Sequence, residues 1–360
     1  MTDTPAVATT ADRQSPTLAI VSGPAFELVA ELAAFASGPA RASLESGKTW
    51  IRDVRRLAGP DLLRRVERWA FPLYTELAPI VLDAGPPFEV SAFVEALRRH
   101  DADRLHRRLL GVESPPNRAM VSEGAFDRAL AGNVRAKAEV RRTLGLNPPA
   151  RQSLDRLMKA SPVSVKDDVV TIVEDWGSRV FPAYRDRAQA LVARDVEAKE
   201  TLFRDEPMDI ALSASTNGVE FDLAGWADQV VVIPTFALRP FIAPVESGSR
   251  QLILCSVADE AFDDDPAAPP RRLVKVTAAL GDEVRLRILH ELAGADLTAA
   301  ELASRLGVER TSLHHHLGVL RSAGLVSPRA EGVQSWRYAR RTDGITDVAT
   351  ALSRYLDPSS

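Results

Sequence analysis

Only one cysteine, Cys255, occurs in 360 residues, which excludes an intrachain disulfide framework. It sits in the apolar run QLILCSV, where a thiol packs as a small hydrophobe instead of acting as a ligand or redox group. No stretch of eighteen uncharged apolar residues is present, so neither a membrane span nor a membrane partner is expected. The opening MTDTPAVATTADRQSPTLAI has early acidic residues, no basic segment and no long apolar core, unlike a secretion signal. A cytoplasmic location is the expectation, in line with the scarcity of thiols. Also missing are a glycine-rich phosphate loop, a nucleophile elbow, an HExxH helix, paired cysteines and an internal repeat. No cofactor, metal or catalytic residue is therefore assigned.

What is present is an ordinary globular composition, 45% hydrophobic and 26% charged, in a chain long enough for two or more domains. The pattern predicts a mostly α protein with small β elements: a helical N-terminal domain with a β-rich end, then a C-terminal winged helix-turn-helix. Residues 1–17 are small and polar and read as a disordered tail. A mainly helical sensor or dimerisation domain is expected over 18–258. Within it, FELVAELAAFA spaces Phe26, Leu28, Val29, Leu32 and Phe35 for one helical face. Pro72 bends or restarts a later helix, and Trp176 fits an apolar stripe. His100 and His106 lack the framing that metal ligands need, and the cluster Arg135, Lys137, Arg141 and Arg142 reads as a solvated helix face. The runs EFDLAGWADQVVVIPTF, RPFIAPV and RQLILCSV predict a small sheet or hairpin set over about 219–258. Residues 259–270, acidic and proline-rich, are expected to be a linker.

Beyond the linker the charge balance inverts. Residues 271–341 hold twelve Arg and Lys against seven Asp and Glu, a net of +5, while the remainder carries −9. That asymmetry suits one nucleic-acid face on an acidic protein. DEVRLRILHEL places Val284, Leu286, Leu289 and Leu292 on or beside an inward stripe, with Ile288 adjacent. In LTAAELASRLG, Thr298 caps the next helix, Glu301 completes a capping box, and Gly307 ends it. The third helix, VERTSLHHHLGVLRSAG, packs through Leu313, Leu317 and Leu320 and leaves Arg310, Thr311, Ser312, His314 and His315 outside. Adjacent helical residues turn about 100° apart, so the three consecutive histidines do not converge on one ion. LVSPRAEGVQSWRYARR predicts a β-hairpin wing with Trp336 and Tyr338 on one strand face. Arg321, Arg329, Arg337 and Arg340 complete the candidate DNA-binding set. Residues 271–342 are thus the expected DNA-binding domain and 343–357 a C-terminal helix.

This last fifth of the chain resembles the winged helix-turn-helix of ArsR-type transcriptional regulators. The resemblance rests on LGDEVRLRILHEL, LTAAELASRLGV, TSLHHHLGVLRSAGLV and the aromatic wing WRYAR. It implies double-stranded DNA as partner, a homodimer, and repression relieved by a small-molecule effector. It also implies major-groove contact by residues 310–315 and backbone or minor-groove contact by Arg329 and Arg337. Glu309, a poor N-cap, and Gly318, which costs a helix about 1 kcal/mol relative to Ala, depart from the family pattern. The family's thiol metal sites are absent from the sequence. Two other readings stand beside this one. One is a winged helix that binds protein. The other is an enzyme in the N-terminal part, built on polar residues such as Asp167, Asp168, Glu174, Asp175 and Asp228.

Overall fold

A computed structural model of the chain describes residues 16–38, 41, 44–69, 71–114, 121–143, 148–219, 221, 223, 226–263, 268–331 and 335–357. The tail expected over 1–17 lies outside them up to residue 15, and the linker expected over 259–270 lies outside them at 264–267. The protein is mostly helical with small β elements. The N-terminal region runs β1 (Thr17–Ile20), α1 (Pro24–Ala36), α2 (Gly47–Glu67), α3 (Phe71–Thr75), α4 (Ala78–Ala84), α5 (Val90–Arg99) and α6 (Ala102–Leu109). It continues through α7 (Ala125–Leu130), α8 (Val134–Thr143), α9 (Pro148–Leu157), α10 (Pro162–Arg179), α11 (Arg185–Asp205) and α12 (Met208–Ser215). Three strands close it: β2 (Gln229–Thr235), β3 (Ala243–Ser247) and β4 (Arg250–Ser256).

The sheet order is β1-β2-β4-β3, parallel except for the β3–β4 hairpin. One feature differs from the sequence reading. Leu18 to Ile20, read as the start of helical texture, form the edge strand β1 beside β2, more than two hundred residues away in sequence. Strand β2 is apolar on both faces because both faces are covered, as parallel sheets require. Val231 and Ile233 join the core under α1, while Val230 and Val232 pack with Leu212, Ile253 and Cys255 on the other side. Burial pushes the Cys255 thiol up to about 11, which leaves it a packing group.

Helix α1 is buried at every position, not along one face. Its two glutamates are therefore inside. Glu27 accepts the backbone N–H groups of Phe236 (2.8 Å) and Ala237 (2.9 Å), which ties α1 to the end of β2. Glu31 accepts the indole N–H of Trp176 on α10 at 2.9 Å, among the rings of the central core. Gly23 precedes α1 because a Cβ there would stand 2.6 Å from the Phe88 Cβ and 2.7 Å from the Pro87 carbonyl oxygen. Pro72 falls in the first turn of α3, where its missing N–H costs nothing.

A separate hydrophobic cluster belongs to the C-terminal module. Its elements are α13 (Arg271–Leu280), α14 (Glu283–Glu291), β5 (Leu297–Thr298), α15 (Ala299–Leu306), α16 (Arg310–Ser322), β6 (Val326–Glu331), β7 (Ser335–Arg340) and α17 (Thr342–Leu356). In α14 the inward stripe is Ile288, Leu289 and Leu292. Leu286, placed there by the sequence reading, is exposed, because the stripe is set one residue around the helix. The first residues of the expected linker, Asp259 to Phe262, form a 3-10 turn whose Asp259 carboxylate is bound by Arg239 and Lys275.

The buried glutamates make stability depend on pH. Burial pushes Glu27 up to about 7, against its two backbone donors, and holds Glu31 well above its usual 4.5, aided by the neighbouring Glu27 and opposed by Trp176. Both bind a proton more tightly in the folded state. Their contribution is therefore full below about 4.5 and is lost as pH rises through about 7 for Glu27 and through the raised pKa of Glu31. Glu31→Gln keeps an acceptor for Trp176 and removes the charge. Its melting temperature, followed by circular dichroism, should exceed that of the parent at about pH 8, with the gap closing towards about pH 5. A gap that does not change with pH would show that Glu31 carries no charge penalty.

Candidate nucleic-acid interface

The module is built from local signals. Thr298 accepts the Glu301 N–H at 3.2 Å while the Glu301 carboxylate accepts the Thr298 N–H at 2.7 Å, so the capping box at the start of α15 is complete. Gly307 takes φ 67°, the left-handed conformation that ends α15 and lets the chain turn into α16. The rotation of α16 is set by Leu313, Leu317 and Leu320, each 2% exposed or less. Glu309 at its N-cap makes no side-chain cap. The wing pairs β6 with β7 antiparallel, Arg329 opposite Arg337 and Pro328 opposite Tyr338, and β7 also pairs β5.

With the leucines inward, Arg310, Ser312, His314 and His315 are exposed on α16. The side chains of Thr311 and Arg329 lie outside the described residues. The three histidines part company, as helix geometry demands. His314 and His315 reach solvent, whereas His316 is half-buried with its Nδ1 3.7 Å from the Asp282 carboxylate. Among the described residues no three His, Cys, Asp or Glu are grouped to hold a metal.

The remaining arginines are not all free. Arg321 is half-buried, its guanidinium 4.7 Å above the Phe241 ring of the N-terminal region. Arg337 donates to the Asp296 carbonyl at 2.8 Å and to Glu301 at 3.4 Å, inside the module. Arg340 is half-buried on β7. The exposed surface of α16 is thus graded: Arg310 and Ser312 are open, His314 and His315 reach solvent at the edge of a cleft shared with Leu44, Pro240 and Phe241, and the last turns face the N-terminal region.

Sequence reasoning missed the junction beside this cleft. Buried Arg239 donates to Glu45 at 3.0 Å and to Asp259, and Lys275 on α13 donates to the same two carboxylates at 2.6 Å each. Phe262 lies under both Arg239 and Arg271. No local pattern announces these contacts, because Glu45 and Lys275 are 230 residues apart. Three of the five acidic candidates for an enzyme join helices, and Asp167 is exposed. Asp168 accepts the Trp69 indole N–H, Asp175 pairs with Arg65, and Glu174 pairs with Arg98. Asp228 is exposed.

Two helices joined at Gly307, with a β-hairpin wing behind them, define a winged helix-turn-helix, a DNA-binding module. The family model described as a helix-turn-helix domain matches residues 280–329. The transcriptional repressor SdpR of Bacillus subtilis is 35% identical over 82 residues, which span 23% of this chain and 90% of that protein. A putative arsenical resistance operon repressor, ArsR2, of Halobacterium salinarum is 32% identical over 100 residues, 24% of this chain and 82% of that one. A solved ArsR-like transcriptional regulator from Rhodococcus sp. RHA1 shares 38% identity over 23% of this chain and 77% of its own, with a TM-score of 0.22. Through this C-terminal module the chain belongs to the ArsR-like helix-turn-helix family, and a large helical region precedes the module.

The packing of α16 generates a paired prediction. Leu317→Ala should lower unfolding stability of the module by about 2–4 kcal/mol, since the side chain is fully enclosed. Arg310→Ala, on the exposed side, should leave it within about 0.5 kcal/mol. Calorimetry of both variants checks this. An unchanged unfolding profile for Leu317→Ala would mean that the helix is rotated otherwise.

Proposed function

We propose that the protein is a dimeric transcriptional repressor whose operator affinity is set by a small-molecule effector acting through the N-terminal region. The family membership of the module supports DNA binding and transcriptional regulation at large. The single observation that carries the finer reading is the polar surface of α16: Arg310, Ser312, His314 and His315 stand exposed while Leu313, Leu317 and Leu320 are buried. In this reading those side chains and Thr311 meet base edges and phosphates in the major groove. Arg329, Arg337 and Arg340 of the wing, and Arg321 once freed from Phe241, meet the DNA backbone. Dimerisation is supported by apolar side chains left exposed on adjoining helices, Val274 on α13 and Leu352, Tyr355 and Leu356 on α17. Two recognition helices about one DNA turn apart would then read a pseudo-palindrome. No chemical step is part of this function. No helix among the described residues is long and apolar enough to cross a membrane.

Titration of the full chain against the DNA upstream of its own gene and against a scrambled duplex, across a salt series, tests the reading. The upstream fragment should bind more tightly, and its log affinity should fall steeply and linearly with log salt as phosphate counterions are released. Arg310→Ala should weaken it by about tenfold or more. Equal, weak and salt-insensitive binding to both duplexes would favour a protein-binding winged helix instead.

A further inference from the structure

Between α16, from His314 to Ser322, and the N-terminal region lies an open cleft of about 480 Å³, within the range of small-molecule sites. Leu44, Pro240 and Phe241 form one wall and Leu317 part of the other, so most of its surface is apolar. Gly318 leaves open space beside the helix, since a Cβ there would meet nothing within 4 Å.

The charge in this cleft is unbalanced. Arg321 is withdrawn from water enough to lower its pKa, and a desolvated guanidinium seeks an anion. Apart from the Phe241 ring it has no hydrogen-bond acceptor or carboxylate among the described residues. Glu45, which lines the same cleft, is already held by Arg239 and Lys275, and Asp259 behind it is held by the same two. Arg271 adds a further positive charge 3.7 Å from Asp259. Three cations, Arg239, Lys275 and Arg271, therefore share these two carboxylates, and Arg321 at the cleft surface pairs with neither. Tyr338 supplies a second donor there, its hydroxyl without a hydrogen-bond partner among the described residues.

We propose that this cleft is a binding site for a small organic monocarboxylate with an apolar body. The carboxylate takes the Arg321 guanidinium and the Tyr338 hydroxyl, and the body lies between Phe241, Pro240 and Leu44 on one side and Leu317 on the other. Such a ligand touches both the N-terminal region and the recognition helix, so it favours the arrangement in which they stay together. Resting on the regulator reading above, it follows that occupancy weakens operator binding, because Arg321 and the α16 face cannot serve ligand and DNA at once.

The test begins without DNA. The full chain is titrated with benzoate, phenylacetate and octanoate, and with benzyl alcohol, phenylethanol and octanol as uncharged counterparts, by ligand-observed NMR and calorimetry. At least one carboxylate should bind with a Kd at or below about 1 mM, and its alcohol about tenfold more weakly or not at all. Arg321→Gln should weaken that carboxylate about tenfold. Gly318→Leu, which fills the cleft from a side where the added chain meets open space, should abolish binding while the thermal melt stays cooperative. Flat titrations for all three carboxylates, equal binding of acid and alcohol, or undiminished binding in either variant would overturn the site. Operator titrations with and without the bound carboxylate complete the test, with unchanged operator affinity at saturation overturning the inhibitory coupling. A failed site leaves the carboxylate titration flat while DNA still binds. A failed regulator reading leaves the DNA titration flat while the carboxylate still binds.

Discussion

Two carboxylates, Glu45 and Asp259, determine how the halves of the molecule meet. Arg239 is almost wholly buried, and removing a guanidinium from water costs several kcal/mol unless its donors are filled. Glu45 and Asp259 fill them, and the Phe262 ring covers the flat face of the cation. The same carboxylates then accept Lys275, on the first helix of the C-terminal module. An ion pair the N-terminal region needs for its own packing therefore also anchors the module. Removing either acid would leave buried Arg239 and Lys275 to share a single carboxylate. Because Phe241 follows Arg239 by two residues, the loop held by this junction is also the one that receives Arg321 of the recognition helix.

How much of this could be read from the chain alone depends on the range of each interaction. The capping box of Thr298 and Glu301, the stop at Gly307, the spacing of Leu313, Leu317 and Leu320, and the wing hairpin are all written within a few residues, and the structure holds each of them. Periodicity erred where two stripes compete: in α14, Leu286 and Ile288 are both apolar, and only the facing helices decide that Ile288 goes inside. It failed for β1, since a four-residue strand has meaning only beside β2, far along the chain. Arg321 was legible as a basic residue on the right helix. Its contact with Phe241 was not, because nothing near either residue encodes the other.

The N-terminal region shows the same limit in its core. A helix that carries Glu27 and Glu31 reads as amphipathic, with the acids outside. The structure buries the entire helix and spends the two acids on a strand end and an indole. Burial of that kind requires partners already in place, namely two free N–H groups after β2 and the Trp176 ring nitrogen. The acids specify how α1 sits between the sheet and α10 at some expense in stability at neutral pH. Asp168, Glu174 and Asp175 likewise find their use in joining helices.

The consequence for function lies in the division of α16. Its first turns present Arg310, Ser312, His314 and His315 to solvent, and its last turns present Arg321 to an aromatic ring of another part of the chain. A guanidinium stacked on Phe241 cannot reach a phosphate without leaving that ring, and whatever stabilises the stack opposes the phosphate contact by the same free energy. The face read as the DNA-binding surface is thus also, at its far end, a contact between domains. A helix shared in this way needs no long-range structural relay, since a ligand in the cleft and DNA would act on the same helix.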